Sequence, residues 1–476
     1  MFITFNCARF EGLPLPAFDA TVCLDETPST LYNGTQIGTH RRERLMLIPS
    51  ERAIQSKVTW RLLPFLFLLY IVAYLDRANL SVAKLGMKEM PWFTDNVFGL
   101  GAGIFFLGYF LFEVPSNLIL AKVGARKWIT RIMISWGIVS SLMMFSLNEP
   151  AFYGLRFMLG VAEAGFFPGV ILYLTYWYTA RERARIVAIF MTATAVANVI
   201  GAPLSGLLLG VHGFGLLGWQ WLFVIEGIPA ILLGFVVFFY LPDGPKDARW
   251  LTAPEKEWIL ARIEVENASK SSTGHGNLSA AFSTPAVWIF CAIYFVNAMT
   301  TYGIVNWLPT IIKKSGTFDD IKVGLLTAIP FALGAIVMVF TARNSDRTGK
   351  HREHVAGAAF ICGIGLIIAA FQHTTLGIVA SFSFAAMGLY SLVGPFWALP
   401  TSILGGTAAA AGIALINSIG NLGGFAGPYL VGRIKDADKV NGTQNALLML
   451  AFCIVFGGVL AFAVKREHTP DANAAI

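Results

Sequence analysis

The stretch LLPFLFLLYIVAYLDR, Leu62 to Arg77, decides how the rest of the chain is read. From Leu62 to Leu75 it carries no charge, and then two opposite charges, Asp76 and Arg77, follow inside the same apolar run. An uncharged run of this kind suits the hydrocarbon core of a bilayer, which a helix of about 20 apolar residues crosses. A charge held at that depth costs a few kcal/mol or more, so it needs a partner or a water-filled cavity.

Working outward, the same block recurs. Val97 to Phe112 is uncharged, and so is Ala358 to Phe371. About twelve blocks reach roughly 18–25 residues, which places spans near 61–84, 97–120, 128–147, 151–178, 186–210, 219–241, 286–312, 323–342, 354–372, 376–400, 408–433 and 444–464. Trp60, Trp128, Trp219, Trp221 and Tyr240 sit near block ends, where membrane interfaces favour them. With 56% hydrophobic and 13% charged residues in 476, the chain does not read as a soluble protein, which would split into domains with charged surfaces. The fold expected is all-α, with twelve transmembrane helices in two six-helix bundles surrounded by lipid.

The net charge of +7 does not point to nucleic acid, because the charges lie in short connectors. Arg41, Arg42 and Arg44 precede the first span; Lys122, Arg126 and Lys127 follow the second; Arg181, Arg183 and Arg185 follow the fourth. Arg343, Arg347, Lys350 and Arg352 follow the eighth, and Lys465 and Arg466 the last. Intervening connectors such as 147–150 and 211–218 are nearly free of Lys and Arg. The positive-inside rule then puts both termini in the cytoplasm of a cell whose inner membrane holds the chain. Lys313, Lys314 and Lys322 weaken the pattern, partly offset by Asp319 and Asp320. The domains expected are a cytoplasmic tail without stable structure (1–55), a six-helix bundle (56–241), a polar cytoplasmic linker with a short amphipathic helix (242–285), a second bundle (286–464) and a short tail (465–476). The first fifty residues lack the pattern of a signal peptide; translation from Met46 would leave most of them out. Cys291, Cys362 and Cys453 lie in apolar spans and, with Cys7 and Cys23, show no metal spacing or pairing pattern.

The two halves repeat a motif. NLILAKVGARK (117–127) follows the second span, and ARNSDRTGKHR (342–352) follows the eighth. Both place Gly two residues after a base, with more bases beyond. Such a repeat across two six-helix halves suits transporters whose site lies between the halves, near the midplane.

The second copy resembles the loop motif Gly-x-x-x-Asp-Arg-x-Gly-Arg-Arg of the major facilitator superfamily, keeping Asp346, Arg347 and Gly349. The first copy departs from it at Ala121, where the motif has Asp. The motifs YLDRAN (74–79), LRFMLGVAEAGFFPG (155–169), WQWLFVIEG (219–227) and NSIGNLGGFAGP (417–428) narrow the likeness to the anion:cation symporter family, and within it to bacterial tartrate and sugar-acid transporters. The resemblance covers residues 55 to 464. It implies proton carriers at Asp76 and Glu163, substrate contacts at Arg77 and Arg156, and an inter-bundle latch at Asp346, Arg347 and Gly349.

Beside that resemblance, the residues have their own reading. Asp76 and Arg77 lie late in the first span and Arg156 early in the fourth, so antiparallel spans bring them to similar depth. Glu163 is seven residues beyond Arg156, on the same helix face and about 10 Å along the axis. Two guanidinium forks suit a carboxylate, and two nearby carboxyls can exchange protons. Protonating Asp76 or Glu163 would free an arginine to hold the substrate anion, which couples the two bindings. The competing reading is a set of permanent ion pairs between helices, although four ionisable groups in two spans exceed what packing requires. Tyr74 and Tyr109 could bond substrate hydroxyls or only pack. Asn297, Tyr302, Asn306, Trp397, Asn417 and Asn421 are candidates in the second half, each readable equally as a helix–helix hydrogen bond or packing residue. Glu113 and Glu226 are expected to brace kinked helices or make gate contacts.

No phosphate loop, zinc motif or nucleophile turn occurs, so neither enzymatic chemistry nor a cofactor is expected. The function expected is symport of a proton with a small organic anion, such as tartrate or a sugar acid, by a monomer working through alternating access. Aromatic-acid uptake, anion exchange, or a membrane sensor that binds an anion without moving it are the alternatives.

Overall fold

The computed structural model describes residues 51–271, 283–403 and 406–464, and among these the chain is helical without a β-strand. The expected tails, apart from 51–55, lie outside the described residues. The first helix starts at Glu51, so 51–55 belong to it rather than to the tail.

Among the described residues, eleven helices are long and apolar enough to cross a membrane. In the first half they are α1 (Glu51–Met87), α2 (Asp95–Val123), α3 (Ala125–Leu142, with a short 3-10 turn to Phe145), a fourth span made of α4 (Glu149–Glu163) and α5 (Phe166–Thr175), a fifth made of α6 (Ala180–Met191) and α7 (Ala193–Leu209), and α8 (Gly218–Tyr240). The linker carries α9 (Ala253–Ser271). The second half has α10 (Pro285–Lys314), α11 (Asp320–Thr348), α12 (His351–Ala370), α13 (Thr375–Ile403) and, last, α16 (Gly442–Ala461). Between these lies the twelfth span, α14 (Gly406–Asn421) and α15 (Gly423–Ala437). Each half of it, at 16 and 15 residues, is too short to cross alone. Leu422 between them keeps helical angles (φ −64°, ψ −19°), so the two run on as one span. Most helices extend past the expected apolar spans, because polar caps such as Thr94 on α2 and Asp319 on α11 start them outside the apolar run.

Within the first half α3 packs on α8, α2 on α4, and α1 on α7 and α8; within the second, α12 lies between α13 and α16, and α10 packs on α14, α15 and α16. The bundles meet along three seams: α2 with α15, α7 with α11, and α1 with α10. Exchanging the halves turns the first seam into the second and leaves the third unchanged, as a two-fold repeat requires. Outward faces carry large exposed apolar side chains such as Phe239, Phe452 and Phe340, the composition of a lipid-facing surface.

The up-and-down order of spans gathers the loops 88–94, 210–217, 315–319 and 438–441 at one end, the far end. The turn at 124 and the segment 242–252 mark the other, the linker end. Both long seams tighten at the far end on glycine. A Cβ on Gly99 would lie 2.4 Å from the Pro428 carbonyl oxygen, and one on Gly324 2.3 Å from that of Ala202. Backbone this close cannot yield to a side chain.

At the linker end, the missing acid of the first loop motif is replaced from elsewhere. Asp243, just past α8, accepts the Arg126 backbone N–H through Oδ1 at 2.9 Å and sets Oδ2 3.5 Å from Arg126 Nε. Gly124 between them has φ 97°, and a Cβ there would lie 2.8 Å from the Asp243 carboxylate. In the second copy Gly349 ends α11 with φ 64°. Asp346 and Arg347, the residues of the expected latch, are exposed, and no ion pair among the described residues includes them.

The linker begins as a docked structure. Lys57 of α1 reaches Glu255 at 2.8 Å, Arg262 reaches Glu182 at 2.7 Å, and Trp250 stacks on Trp177 at 5.7 Å. Burial opposes ionisation of Glu255, but hydrogen bonds from the Lys57 ammonium and the Thr252 N–H outweigh it and hold the carboxyl below the ordinary glutamate range.

Candidate functional site

The fourth span breaks where its acid lies. Glu163 is the last residue of α4; Ala164 turns extended (φ −53°, ψ 131°) and Gly165 turns left-handed (φ 86°) before α5 begins. A Cβ on Gly165 would also meet the Ser116 hydroxyl at 2.3 Å. The Ser116 hydroxyl donates to the Ala164 carbonyl at 2.7 Å and accepts Trp128 Nε1–H at 2.9 Å. The carbonyl freed by the break is thereby satisfied, and the break is held from α2 and α3.

Glu163 is fully buried and takes Arg77 across from α1. Arg77 Nε lies 2.7 Å and Nη2 2.5 Å from the same oxygen, Oε1. Oε2 has no hydrogen-bond partner. The guanidinium carbon stands 5.1, 5.5 and 5.3 Å from the ring centres of Tyr74, Phe105 and Tyr109. Its Nη1 is 3.4 Å from the Tyr302 hydroxyl on α10, so one arginine ties a buried acid of the first bundle to the second bundle.

Arg156 is buried on the other side of the same phenyl neighbourhood. Its Nε donates to the Gly101 carbonyl at 3.2 Å, and its guanidinium carbon is 5.1 Å from the Phe105 ring centre. Phe105 therefore lies in reach of both guanidinium groups, a residue that sequence reasoning missed because aromatic residues are common throughout the second span.

Of the four expected charges, Asp76 takes its hydrogen bonds from other partners. Its carboxylate turns into the first bundle, where Trp136 Nε1–H donates to Oδ2 at 2.7 Å and Asn79 Nδ2 to Oδ1 at 3.1 Å, with Ser140 Oγ also donating to Oδ1. Asp76 and Arg77 are successive helix residues, separated by about 100° around the axis, so they leave the helix in different directions. The three donors come from α1 and α3, and the Asp76 charge lies within electrostatic reach of Arg156 and Glu163.

Among the second-half candidates, Tyr302 meets Arg77 and packs edge-on to Phe106 at 4.4 Å. Asn417 donates to Glu113 Oε1 at 3.1 Å, and Ser418 lies 3.5 Å from Oε2. Glu113 is thus an inter-bundle contact one turn beyond Tyr109, on the same face, and that spacing could have marked it. Asn198 of α7 donates to the Tyr390 hydroxyl of α13 at 3.0 Å, another bridge not anticipated. Trp397 packs on Tyr294 at 5.1 Å. Asn297 is buried with Oδ1 unpartnered, and Asn421 is half-buried at the end of α14. Asn306 donates to the Tyr302 carbonyl at 2.8 Å, a bond within its own helix. Glu226 stays within the first bundle, accepting Ser205 Oγ–H at 2.7 Å.

A protein of Agrobacterium vitis named "Putative tartrate transporter" is 46% identical over 87% of this chain and 95% of its own length. A "Quinolone resistance transporter" of Acinetobacter baumannii is 40% identical over 89% of this chain and 98% of its own. Among solved structures, a bacterial homolog of the human lysosomal transporter Spinster, inward-facing and unoccupied, superposes with a TM-score of 0.70 at 17% identity, covering 88% of this chain and 99% of that one. That likeness concerns the fold. The family model of the Major Facilitator Superfamily matches residues 66–428, and with these relatives it establishes that the chain belongs to that superfamily and is a membrane transporter.

Proposed function

We propose that the chain is a proton-coupled symporter of a small hydroxylated carboxylate, tartrate or a sugar acid, and that its far end faces outward from an inner membrane with both termini in the cytoplasm. The observation that carries this reading is the Arg77–Glu163 pair, buried in the first bundle while Arg77 also reaches Tyr302 of the second.

The geometry supports one cycle. Arg77 Nε and Nη2 both spend their bonds on Oε1, and Oε2 is free to take a proton. Protonating Glu163 removes its charge, and the Arg77 fork turns to the substrate carboxylate. Arg156, across Phe105, offers a second fork, which suits a substrate with two carboxylates or a carboxylate and hydroxyls. Tyr74, Tyr109 and Tyr302 supply hydroxyls and ring faces. Asp76 acts as a positioning residue: its three donors fix α1 against α3 so that the next residue faces the interface. The far end is closed, which fits an inward-facing or occluded state of an alternating-access cycle. The tartrate name of the Agrobacterium relative supports the substrate class.

The test is uptake of labelled L-tartrate, and of a sugar-acid and phthalate panel, into proteoliposomes. An inward pH gradient should drive accumulation that an uncoupler abolishes. Glu163→Gln should lose gradient-driven accumulation while keeping substrate exchange. Accumulation by Glu163→Gln, or outward movement of a quinolone with no carboxylate uptake, would overturn the reading.

A further inference from the structure

A second group of charges sits at the far mouth, away from Arg77. Asp95, at the start of α2, stands between ammonium groups of both bundles. Lys84 Nζ of α1 lies 2.8 Å from Oδ1, and Lys435 Nζ of α15 lies 3.7 Å from Oδ2. Both lysines are buried, Lys84 at 0% and Lys435 at 4% exposure. The Trp307 ring of α10 lies beneath them, its centre 3.2 Å from Lys84 Nζ and 4.1 Å from Lys435 Nζ, and Phe98 flanks Lys84 at 4.0 Å. Next to it, Asp436 accepts the Asn96 backbone N–H across the same seam and pairs with Lys439.

Two buried ammonium groups around one carboxylate on an aromatic floor make a site for a carboxylate. Charge is left over: two cations face one anion. Lys88 and Lys314 add to the excess at the rim, and burial, with Lys314 adding to it and Asp95 opposing, pushes the Lys88 ammonium below the ordinary lysine range. The carboxylate now in the site belongs to the chain. Lys84 and Asp95 are on the first bundle, and Lys435 and Trp307 are on the second. Parting of the bundles at this end would take Asp95 away with Lys84 and leave Lys435 without that carboxylate.

We propose that Lys435 and Trp307 form a carboxylate-binding site at the far mouth, occupied by Asp95, with Lys84 behind it, when that end is closed and given over to the substrate's carboxylate when it opens. This deepens the anion-transport reading and rests on its orientation of the chain. The same exchange links admission to closure. Asp95 returns to Lys435 only after the anion has moved inward, so a waiting anion opposes the closed state. The excess positive charge focuses anions on the opening and gives nothing to neutral solutes.

The experiment uses the full chain in liposomes, with L-tartrate as probe, or phthalate if tartrate is not carried. KM is measured by counterflow, without a pH gradient. Lys435→Gln should raise KM about tenfold and flatten its dependence on ionic strength, and Lys435→Arg should restore both. Spin labels at the exposed far-end positions Phe214 and Val440, one in each half, read the opening itself. Asp95→Asn should enlarge the widely separated population. A Lys435→Gln variant with the parental KM and salt dependence overturns the proposal, whether or not the label distances change. Parental distances in Asp95→Asn overturn it as well. Neither readout uses a proton gradient, so loss of proton coupling would sink the symport reading and leave this test standing.

Discussion

Arg77 is the side chain on which the two bundles and the buried acid agree. Its Nε and Nη2 share one oxygen of Glu163 while Nη1 points to Tyr302, so the planar fork is used in two directions at once. An ammonium cannot span that arrangement from one point. Arg77→Lys should keep expression and lower kcat/KM for the carboxylate about a hundredfold in the uptake assay, and Arg77→Ala and Arg156→Ala should abolish uptake while inserting normally. Uptake at the parental rate by either alanine variant would remove the assignment. The residue types were legible from Asp76, Arg77, Arg156 and Glu163 standing in apolar runs. Their sorting was not. Which of two adjacent helix residues turns inward depends on the rotation of the whole helix against α3, and no local spacing records that. Glu113 shows the converse, since its distance from Tyr109 did carry the signal and its partner, Asn417, lies 304 residues away.

Among the elements, the fourth span depends on its interruption. Gly165 holds φ 86° with the Ser116 hydroxyl in the space a Cβ would need, so Gly165→Ala combines backbone strain with a steric clash. It should destabilise the protein by about 1–3 kcal/mol, seen as a lower Tm in detergent, and should displace Glu163 enough to reduce transport. A variant with unchanged Tm and flux would show that the break is incidental. The linker gives a pH prediction. The Glu255 carboxyl is held below its ordinary value, so its contribution is complete above the unfolded glutamate range and is lost as pH falls through the depressed folded value. Hydrogen exchange over 250–263 should therefore rise below about pH 4, and Lys57→Met should flatten that step. Span number, length and order were readable because a bilayer imposes one length on every apolar run. The helix breaks were less so. Gly-rich stretches at 164–169 and 420–427 look alike in sequence, yet the first turns the chain out of helical angles, with Ser116 on the Ala164 carbonyl, and the second keeps them through a tightened turn at Leu422.

Across the whole molecule, the far seams are the part most sensitive to volume. Gly324 faces the Ala202 carbonyl from the other bundle, and no rotamer of a larger residue avoids it. Gly324→Val should hold the far end open. A cysteine at Asn198, which now bonds Tyr390 across the interface, should then react several-fold faster with a membrane-impermeant thiol reagent added on that side. Equal labelling rates would mean that the seam adapts. That the seams α2 with α15 and α7 with α11 come as a matched pair follows from the repeated halves, but which helices pair was not written in the motif. The conformation was not implicit, because the same sequence must also fit the opposite state.

Asp243 has a practical corollary. The acid absent from position 121 is present in space, contributed from beyond the sixth span to the start of the third. Loop grafts that carry only residues 117–127 into another scaffold would leave the Arg126 amide uncapped. A first half expressed alone and cut at Tyr240 would suffer the same loss. Such fragments should retain their shape only when the cut falls downstream of that aspartate, so the working boundary of the N-terminal half lies inside what looks, by hydropathy, like spacer.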